Sequence, residues 1–415
     1  MTAPQGGLLF EDVRLIDGIA PDAREHVDVL VIGDRIASIG DADPATRQSL
    51  LRSQRQLGVP LVQIPGTGRT LLPGLIDCHA HYPLDPRVDD AFDTADRESD
   101  ARLSLRAARC AAEALASGVT TARSGGAPRG LDIPLAAAID ARDVPGPRYI
   151  PAGRALTITG GHGWRFGIEA DGELALRAAV RANVRDGARV IKAVASEAAM
   201  LTSGVAGVQE LTEDELRAIV DEAARLRCRV LAHAQGNDAV RAAARAGVAS
   251  VEHAFLADDA TLEVLAASGA TLVPTLTVTD VWRTLPGLTD AQRQRQTVIE
   301  GLHRRSCETA VRLGIPVATG TDTGVRGVLP GMVAREIRLL HEHGLGAMDA
   351  IKAATSTAAR LLGIEDDTGG VTMGRRADLL LVDGDPLTGL DRLASPAMVI
   401  QGGVLRTPAA AIEPA

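Results

Sequence analysis

From about residue 70 to residue 370 the chain alternates short apolar runs, typical of buried strands, with alanine-rich runs of helical character. Helix signals separate the strands: ELTEDELRAIVDEAARLRCR begins with Thr212 and Glu215 in capping-box spacing. We predict eight strands, at residues 71–76, 118–122, 148–155, 189–194, 228–233, 248–253, 271–275 and 315–321. A closed (β/α)8 barrel, also called a TIM barrel, has this number of strands, each followed by a helix. The sequence therefore predicts an α/β fold.

The two ends of the chain have a different pattern. Residues 7–69, and the later segments GRRADLLLVDGDP and PAMVIQGGVLRT, alternate apolar and polar residues in the way of short strands. We predict that both ends join in one small β-sandwich module, formed by residues 1–69 and 371–415. The barrel, residues 70–370, would be the catalytic domain.

Composition excludes several classes of protein. The net charge of −9 argues against a nucleic-acid partner, and the absence of an 18-residue apolar run argues against a membrane span. The N-terminal residues lack the basic start and apolar core of a signal peptide, so we expect a cytoplasmic location. The partners expected are a small-molecule substrate and, as an open alternative, further copies of the same chain.

Two histidines follow closely on the first predicted strand, in LLPGLIDCHAHY. His79 and His81 are two residues apart, so on a strand both side chains project from the same face. Barrel enzymes keep their catalytic groups at this end of their strands. The pair therefore predicts half of a metal site. A second pair, His341 and His343, lies in a helical stretch, where residues two apart diverge by about 200°.

Other predicted strands carry metal-competent residues at the same rim. These are Lys192, His233, His253 and Asp322, at or just after the ends of strands four, five, six and eight. Lysine is rare here, since Lys192 and Lys352 are the only two in the chain. Such a concentration at one rim predicts a metal centre.

Several motifs resemble those of the amidohydrolase superfamily: PGLIDCHAHY, GVTTARSGG, GGHGW, IKAVAS, TGTDTG, ATSTAARLLG and GRRADLLLVDGDP. GGHG together with the strand-four lysine is similar to the imidazolonepropionase-like branch, which includes metal-dependent hydrolases of the Xaa-Pro dipeptidase type. This resemblance implies a binuclear centre, with His79, His81 and Asp322 on one divalent ion and His233 and His253 on the other. Lys192, carboxylated by carbon dioxide, would bridge them. Zinc is the default metal for such ligands.

A water shared by two divalent ions would be a hydroxide near neutral pH. Asp322 could accept its proton during attack on a carbonyl carbon and pass that proton to the departing amine.

The resemblance implies that His162, in TGGHGW, contacts the substrate. Tyr82, Trp164 and Phe166 are candidates for an apolar pocket wall. Gln235 stands where peptidase-type relatives often carry tyrosine or histidine.

The function predicted is hydrolysis of an amide, peptide-like or carbamate C–N bond in a small molecule, such as a dipeptide or an N-acyl amino acid. The alternatives are a mononuclear deaminase or cyclic-amide hydrolase and, more remotely, a non-catalytic scaffold. The residues after His233 are Ala234, Gln235, Gly236 and Asn237, without the glutamate that many such deaminases carry there. That difference and Lys192 favour two metals. Whether Glu197 faces the pocket is left open.

Overall fold

A computed structural model describes residues 6–56, 60–198 and 207–406. The strands in these residues are β1 (Gly7–Leu15), β2 (Arg24–Ile32), β3 (Arg35–Asp41), β4 (Leu61–Pro65), β5 (Arg69–Pro73), β6 (Leu75–Ala80), β7 (Val119–Ser124), β8 (Arg148–Ile150), β9 (Leu156–Thr157), β10 (Ile168–Glu169), β11 (Val190–Val194), β12 (Arg229–Ala234), β13 (Ser250–His253), β14 (Thr271–Val273), β15 (Leu379–Asp383), β16 (Met398–Gln401) and β17 (Val404–Leu405). The α-helices are α1 (Pro44–Gln56), α2 (Ala91–Arg97), α3 (Asp100–Ala116), α4 (Asp132–Ala141), α5 (Glu173–Asp186), α6 (Glu213–Arg225), α7 (Asn237–Ala246), α8 (Asp259–Ser268), α9 (Leu276–Arg283), α10 (Asp290–Arg312), α11 (Val333–Glu342), α12 (Ala347–Ala353) and α13 (Ser356–Leu362).

Both ends of the chain contribute to one sheet, in the order β17-β16-β15-β5-β1-β2-β3, with β4 paired to β1. The central pairing joins the two ends, since β15 runs antiparallel to β5 with Leu380 opposite Leu72. Every second residue of β2, namely Val27, Val29 and Val31, packs in the same hydrophobic core as residues of β15 and β16, so one face of the strand contributes to that core. The prediction that the two chain ends join in one β module is confirmed in that both contribute strands to the same sheet.

The middle of the chain forms parallel sheets of α/β type. One has the order β6-β7-β8, and the other has the order β10-β9-β11-β12-β13-β14. Predicted strands one to seven are found in these sheets as β6, β7, β8, β11, β12, β13 and β14, whereas the short strands β9 and β10 were not predicted. Helices follow most of the predicted strands. The capping box at the start of α6 is present, formed by Thr212 and Glu215. The prediction of an α/β fold is confirmed.

The bounds of the first predicted strand were wrong. We predicted one strand over residues 71–76, whereas the structure has a break at Gly74 between β5, which belongs to the end sheet, and β6. A Cβ atom on Gly74 would lie 2.2 Å from Oγ1 of Thr120, so only glycine allows the chain to pass this close to β7.

The eighth predicted strand is irregular. Residues 315–321, all of which are described, form only an isolated bridge, between Val317 and Leu272. Two of its backbone N–H groups bond outside the neighbouring strands: Thr321 N donates to the Asp77 carboxylate at 3.0 Å, and Thr319 N donates to Ala353 O at 3.0 Å. The segment still connects β14 to β6, because Ala318 N donates to Leu272 O at 3.0 Å and Cys78 N donates to Thr319 O at 2.9 Å.

In the described parts of the chain, we find no helix with the length and apolar character that crossing a membrane requires.

Candidate metal centre

Three ligand atoms converge where β6 ends. His79 lies on β6 and His81 follows it, and both are buried. Their Nε2 atoms lie 3.5 Å and 3.3 Å from Oδ1 of Asp322. The ligand atoms of these three residues all lie within 4.8 Å of one another. Two imidazoles and a carboxylate at this spacing are a donor set suited to one divalent cation.

The other predicted ligands lie in the same cavity. Lys192 on β11 has its Nζ 3.3 Å from Nε2 of His79. The ring centroid of His253 lies 5.0 Å from that of His79 and 4.6 Å from that of His233. The Nε2 atom of His233 is buried and has no hydrogen-bond partner within the described ranges. A buried nitrogen of this kind costs free energy unless a ligand or ion satisfies it.

Hydrogen bonds hold three of the imidazoles by their Nδ1 atoms. His79 pairs with Glu252 Oε2 at 2.7 Å, and His81 pairs with the carbonyl of Gly126 at 2.8 Å. His253 pairs with Oγ1 of Thr275 at 2.8 Å. Anchoring Nδ1 fixes the ring and leaves the Nε2 lone pair available, which is the usual arrangement of metal-binding histidines. The residues present therefore fit a metal centre.

Backbone strain is concentrated at the same place. Asp322, His253 and Thr275 have φ of 60°, 74° and 57°, in the left-handed region that residues other than glycine rarely adopt. Such strain costs about 1–3 kcal/mol for each residue and is typical of functional sites. The backbone of Asp322 is held by its N–H, which donates to the His79 carbonyl at 2.8 Å.

Sequence reasoning missed the buried residues that support the histidines. Glu252 accepts from His79 with one oxygen and from Nη2 of Arg123, at 2.9 Å, with the other. Arg123 also donates to the Cys78 carbonyl at 2.6 Å. A glutamate beside His253 in VEH, and an arginine within the apolar strand β7, were the available signals.

Gly125 was also missed, although the GVTTARSGG motif contains it. A Cβ atom at this position would lie 2.7 Å from Nε2 of His79 and 2.7 Å from Nε2 of His81. A side chain there would therefore occupy the space in which the two imidazoles meet.

We expect Glu252→Gln to weaken metal binding by about 10–100-fold, because glutamine lacks the charge that orients and polarises His79. Competition with a chelator measures this affinity. Glu222→Gln is the matched control, since Glu222 is also buried but pairs with Arg181 on the outside of the fold, at 3.0 Å. Equal metal affinities for wild type and Glu252→Gln would contradict this role.

Burial sets the protonation states in the site. It lowers the pKa of His253 and of His162 to about 4, and the pKa of Lys192 to about 8. Burial acts to raise the pKa of Asp322, but the neighbouring His79 and a hydrogen bond with His81 hold it far below its ordinary value. Near neutral pH His253 thus offers a neutral imidazole and Asp322 an ionised carboxylate, the forms that bind metals.

The surface of the cavity above these residues is mainly apolar, although polar side chains also line it. His162 and Gln235, two of the predicted pocket residues, are part of the lining. The ring centroid of His162 lies 4.8 Å from that of His233, and its backbone N–H donates to Glu210 at 2.8 Å. Phe166, which the sequence also pointed to, is part of the lining, and three aromatic residues that the sequence did not point to complete the walls: Phe92, Phe255 and Trp282.

The structure places two predicted pocket residues elsewhere. Tyr82 is in the core, 1% exposed, with its ring stacked on Tyr149 at 4.9 Å. It follows the strand end, but its side chain faces inward against β8. Trp164 is 44% exposed, and Arg165 covers its ring at 4.8 Å. Glu197 is half-buried and does not belong to the described lining.

Comparison with known proteins agrees with this fold. The Amidohydrolase family model matches residues 70–406. Ochratoxinase of Aspergillus niger is 30% identical over 400 residues, which cover 89% of this chain and 80% of that protein. A crystal structure of a Xaa-Pro dipeptidase with methionine bound in its active site superposes with a TM-score of 0.85, at 26% identity, covering 96% of this chain and 99% of that one. For the crystal structure of A. niger ochratoxinase the TM-score is 0.84, at 28% identity, covering 97% and 96%.

The chain belongs to the amidohydrolase family. The resemblance read from the sequence motifs is confirmed.

Proposed function

We propose that this chain hydrolyses an amide or peptide-like bond of a small molecule with the help of two divalent metal ions held at the rim of the parallel strands. Membership of the amidohydrolase family makes it a hydrolase that acts on carbon–nitrogen bonds. The observation that carries the finer proposal is the convergence of His79, His81 and Asp322 in a buried cavity, with three further candidate ligands beside them.

His79, His81 and Asp322 would hold one ion, and His233 and His253 the other. Lys192 would bridge them as a carboxylated lysine. Its neutral amine is the form that reacts with carbon dioxide, and the lowered pKa of Lys192, about 8, favours that form. The bridge would place negative charge between two cations that otherwise repel each other. Zinc is the metal we expect first for a site rich in histidine.

Divalent ions in such a site supply a water of lowered pKa and polarise the carbonyl oxygen of the substrate. Asp322 would accept a proton from the attacking water and deliver it to the departing nitrogen. It is ionised and adjoins both imidazoles of the first ion, which suits this role. His162, whose ring lies 4.8 Å from that of His233, would donate a hydrogen bond to the substrate.

We infer that the two parallel sheets belong to one closed barrel, residues 70–370, and that residues 1–69 and 371–415 form a β-sandwich module beside it. Hydrogen bonds of residues 316–319 to β14 and β6 support closure on one side. On the other side, Arg189 N donates to Pro151 O at 2.8 Å, next to β8 and β11.

Substrates of the two related enzymes suggest what to test. The similarity to ochratoxinase and to a Xaa-Pro dipeptidase makes ochratoxin and Xaa-Pro dipeptides the first candidates. We expect metal-loaded protein to hydrolyse an amide in a panel that holds these compounds, N-acyl amino acids and carbamates. We also expect chelation to abolish this activity and added zinc to restore it.

Elemental analysis of the same preparations would count the ions. Two ions in each active chain are expected. One tightly bound ion with full activity would favour the mononuclear alternative, and activity that survives complete removal of metal would overturn the proposal.

A further inference from the structure

The cavity above the metal-site residues combines an aromatic wall with a single cation at its mouth. The chain has only four phenylalanines, two tryptophans and two tyrosines. Three of those phenylalanines and one tryptophan line this cavity. Half of the aromatic residues of a chain of 415 are therefore collected in one place, which a general need for core packing does not explain.

These rings lie directly beside the metal-site imidazoles. Phe166 lies 6.2 Å from the ring of His81, and Phe255 lies 5.4 Å from the ring of His253. Phe92 stacks on Phe166 with centroids 5.0 Å apart and planes within 9°. A planar apolar group of the substrate could therefore pack close to the reacting bond.

Only two cationic side chains belong to the described lining, Lys192 and Arg326. Lys192 lies among the metal-site residues, so Arg326 is the cation left to meet a charged group of the substrate. Arg326 is in the loop that leaves Asp322, and its side chain is 26% exposed. It adjoins the wall formed by Trp282 and Phe255, since Val325 packs on the same apolar cluster.

The hydrogen bonds of Arg326 leave part of its guanidinium available. Its Nη2 atom contacts Asp89 Oδ1 at 2.9 Å and the Pro286 carbonyl at 3.3 Å. No contact of its Nε or Nη1 is present within the described residues. The side chain of Asp89 is 87% exposed, so this ion pair is a weak surface one. A substrate carboxylate could bind the free edge of the guanidinium in the bidentate geometry that arginine favours.

A second unsatisfied donor lies in the same wall. The indole Nε1 of Trp282 is buried and has no acceptor among the described residues. Trp282 is 6% exposed and lines the cavity. An oxygen of a bound ligand would satisfy this N–H, which otherwise carries a desolvation cost.

We propose that Arg326 binds a free carboxylate of the substrate, so that this side chain makes the site prefer amides that carry a carboxylate over neutral amides and carbamates, while the aromatic wall packs on the apolar part of the substrate. This inference rests on the proposed amide hydrolysis. It assigns a specificity role to Arg326 that is separate from the metal ligands.

The test compares N-benzoyl-L-phenylalanine with its carboxamide, which differs only in the charged group. Wild type should have a KM at least about tenfold lower for the carboxylate, the effect of one charge-assisted hydrogen-bonded pair. Arg326→Gln should raise the KM for the carboxylate by about 10–100-fold with a smaller change in kcat, and should leave the carboxamide unaffected. Arg326→Lys should recover part of the loss.

Two variants serve as controls. Arg165→Gln removes a nearby arginine outside the cavity lining and should leave both KM values unchanged. Asp89→Asn removes the ion-pair partner but keeps the cation, so the KM for the carboxylate should stay equal or fall. A rise in that KM as large as that of Arg326→Gln would show that the ion pair only positions the loop, and would overturn the proposal.

Calorimetric binding of the two compounds to the full chain after chelation separates this inference from the proposed function. Weaker binding of the carboxylate to Arg326→Gln, with binding of the carboxamide unchanged, would support the inference even if no turnover were found. The role of Arg326 would be overturned if wild type had equal KM values for the two compounds, or if the carboxylate bound equally well to wild type and to Arg326→Gln. Either result would leave the proposed amide hydrolysis standing. If Arg326→Gln failed to fold, the comparison of the two compounds on wild type and on Arg326→Lys would decide.

Discussion

Asp322→Asn is expected to lower kcat by about 10²–10⁴-fold, the usual contribution of a general acid–base residue, while the protein keeps most of its metal. Asparagine preserves an oxygen atom at the position that lies 3.3 Å from His81 Nε2, so a ligand remains. It cannot accept the proton of the attacking water. The loss should therefore be in turnover and much less in metal binding.

Parallel measurements of kcat and of bound metal for the same preparations check this prediction. Asp132→Asn is the control, because Asp132 is also a buried aspartate but accepts hydrogen bonds from Ala152 N and Gly153 N away from the cavity. Its substitution should affect stability and leave kcat near the wild-type value. Turnover of Asp322→Asn within a few-fold of wild type would rule out Asp322 as the base.

Lys192→Ala is expected to reduce the bound metal from two ions and to lower kcat by at least about 10²-fold. Without the bridging group, the two ions would repel each other across a buried space. A short carboxylate such as acetate or propionate should restore part of the activity, because it can enter the space left by the lysine side chain and supply the missing oxygen atoms.

The low lysine content allows the carboxylated side chain to be observed directly. Protein prepared in ¹³C-labelled bicarbonate should show one carbonyl resonance that disappears in Lys192→Ala. Lys352→Ala is the matched control, since Lys352 is the only other lysine and lies on α12, 3.9 Å from Asp349. Full activity of Lys192→Ala without added carboxylate, or the same resonance in that variant, would contradict the bridge.

Much of the candidate site could be predicted because it depends on local pattern. A strand aligns residues two apart, so His79, on β6, and His81, just after its end, could be expected to project to the same side. Parallel strands present their C-terminal ends together, so Lys192, His233 and His253 could be expected at one rim. The predictions for Tyr82 and Trp164 were wrong because proximity along the chain does not decide which space a side chain enters.

Other features depended on contacts between distant segments. The Glu252–Arg123 pair joins strands whose residues are 129 positions apart in the chain. Arg326 lies in the same cavity as Phe92 only because the loop after Asp322 meets the segment that follows His81, where Gly327 N donates to Pro86 O at 2.7 Å.

The sequence by itself determined the class of fold, the family and the rim where the candidate ligands lie. Periodicity, strand ends and motif spacing are properties of short stretches of chain, and each is visible without its neighbours. Only the tertiary structure decided which side chains line the cavity, which buried groups hold the imidazoles and where the guanidinium of Arg326 lies. Those outcomes depend on packing between segments far apart in sequence, which no local pattern encodes.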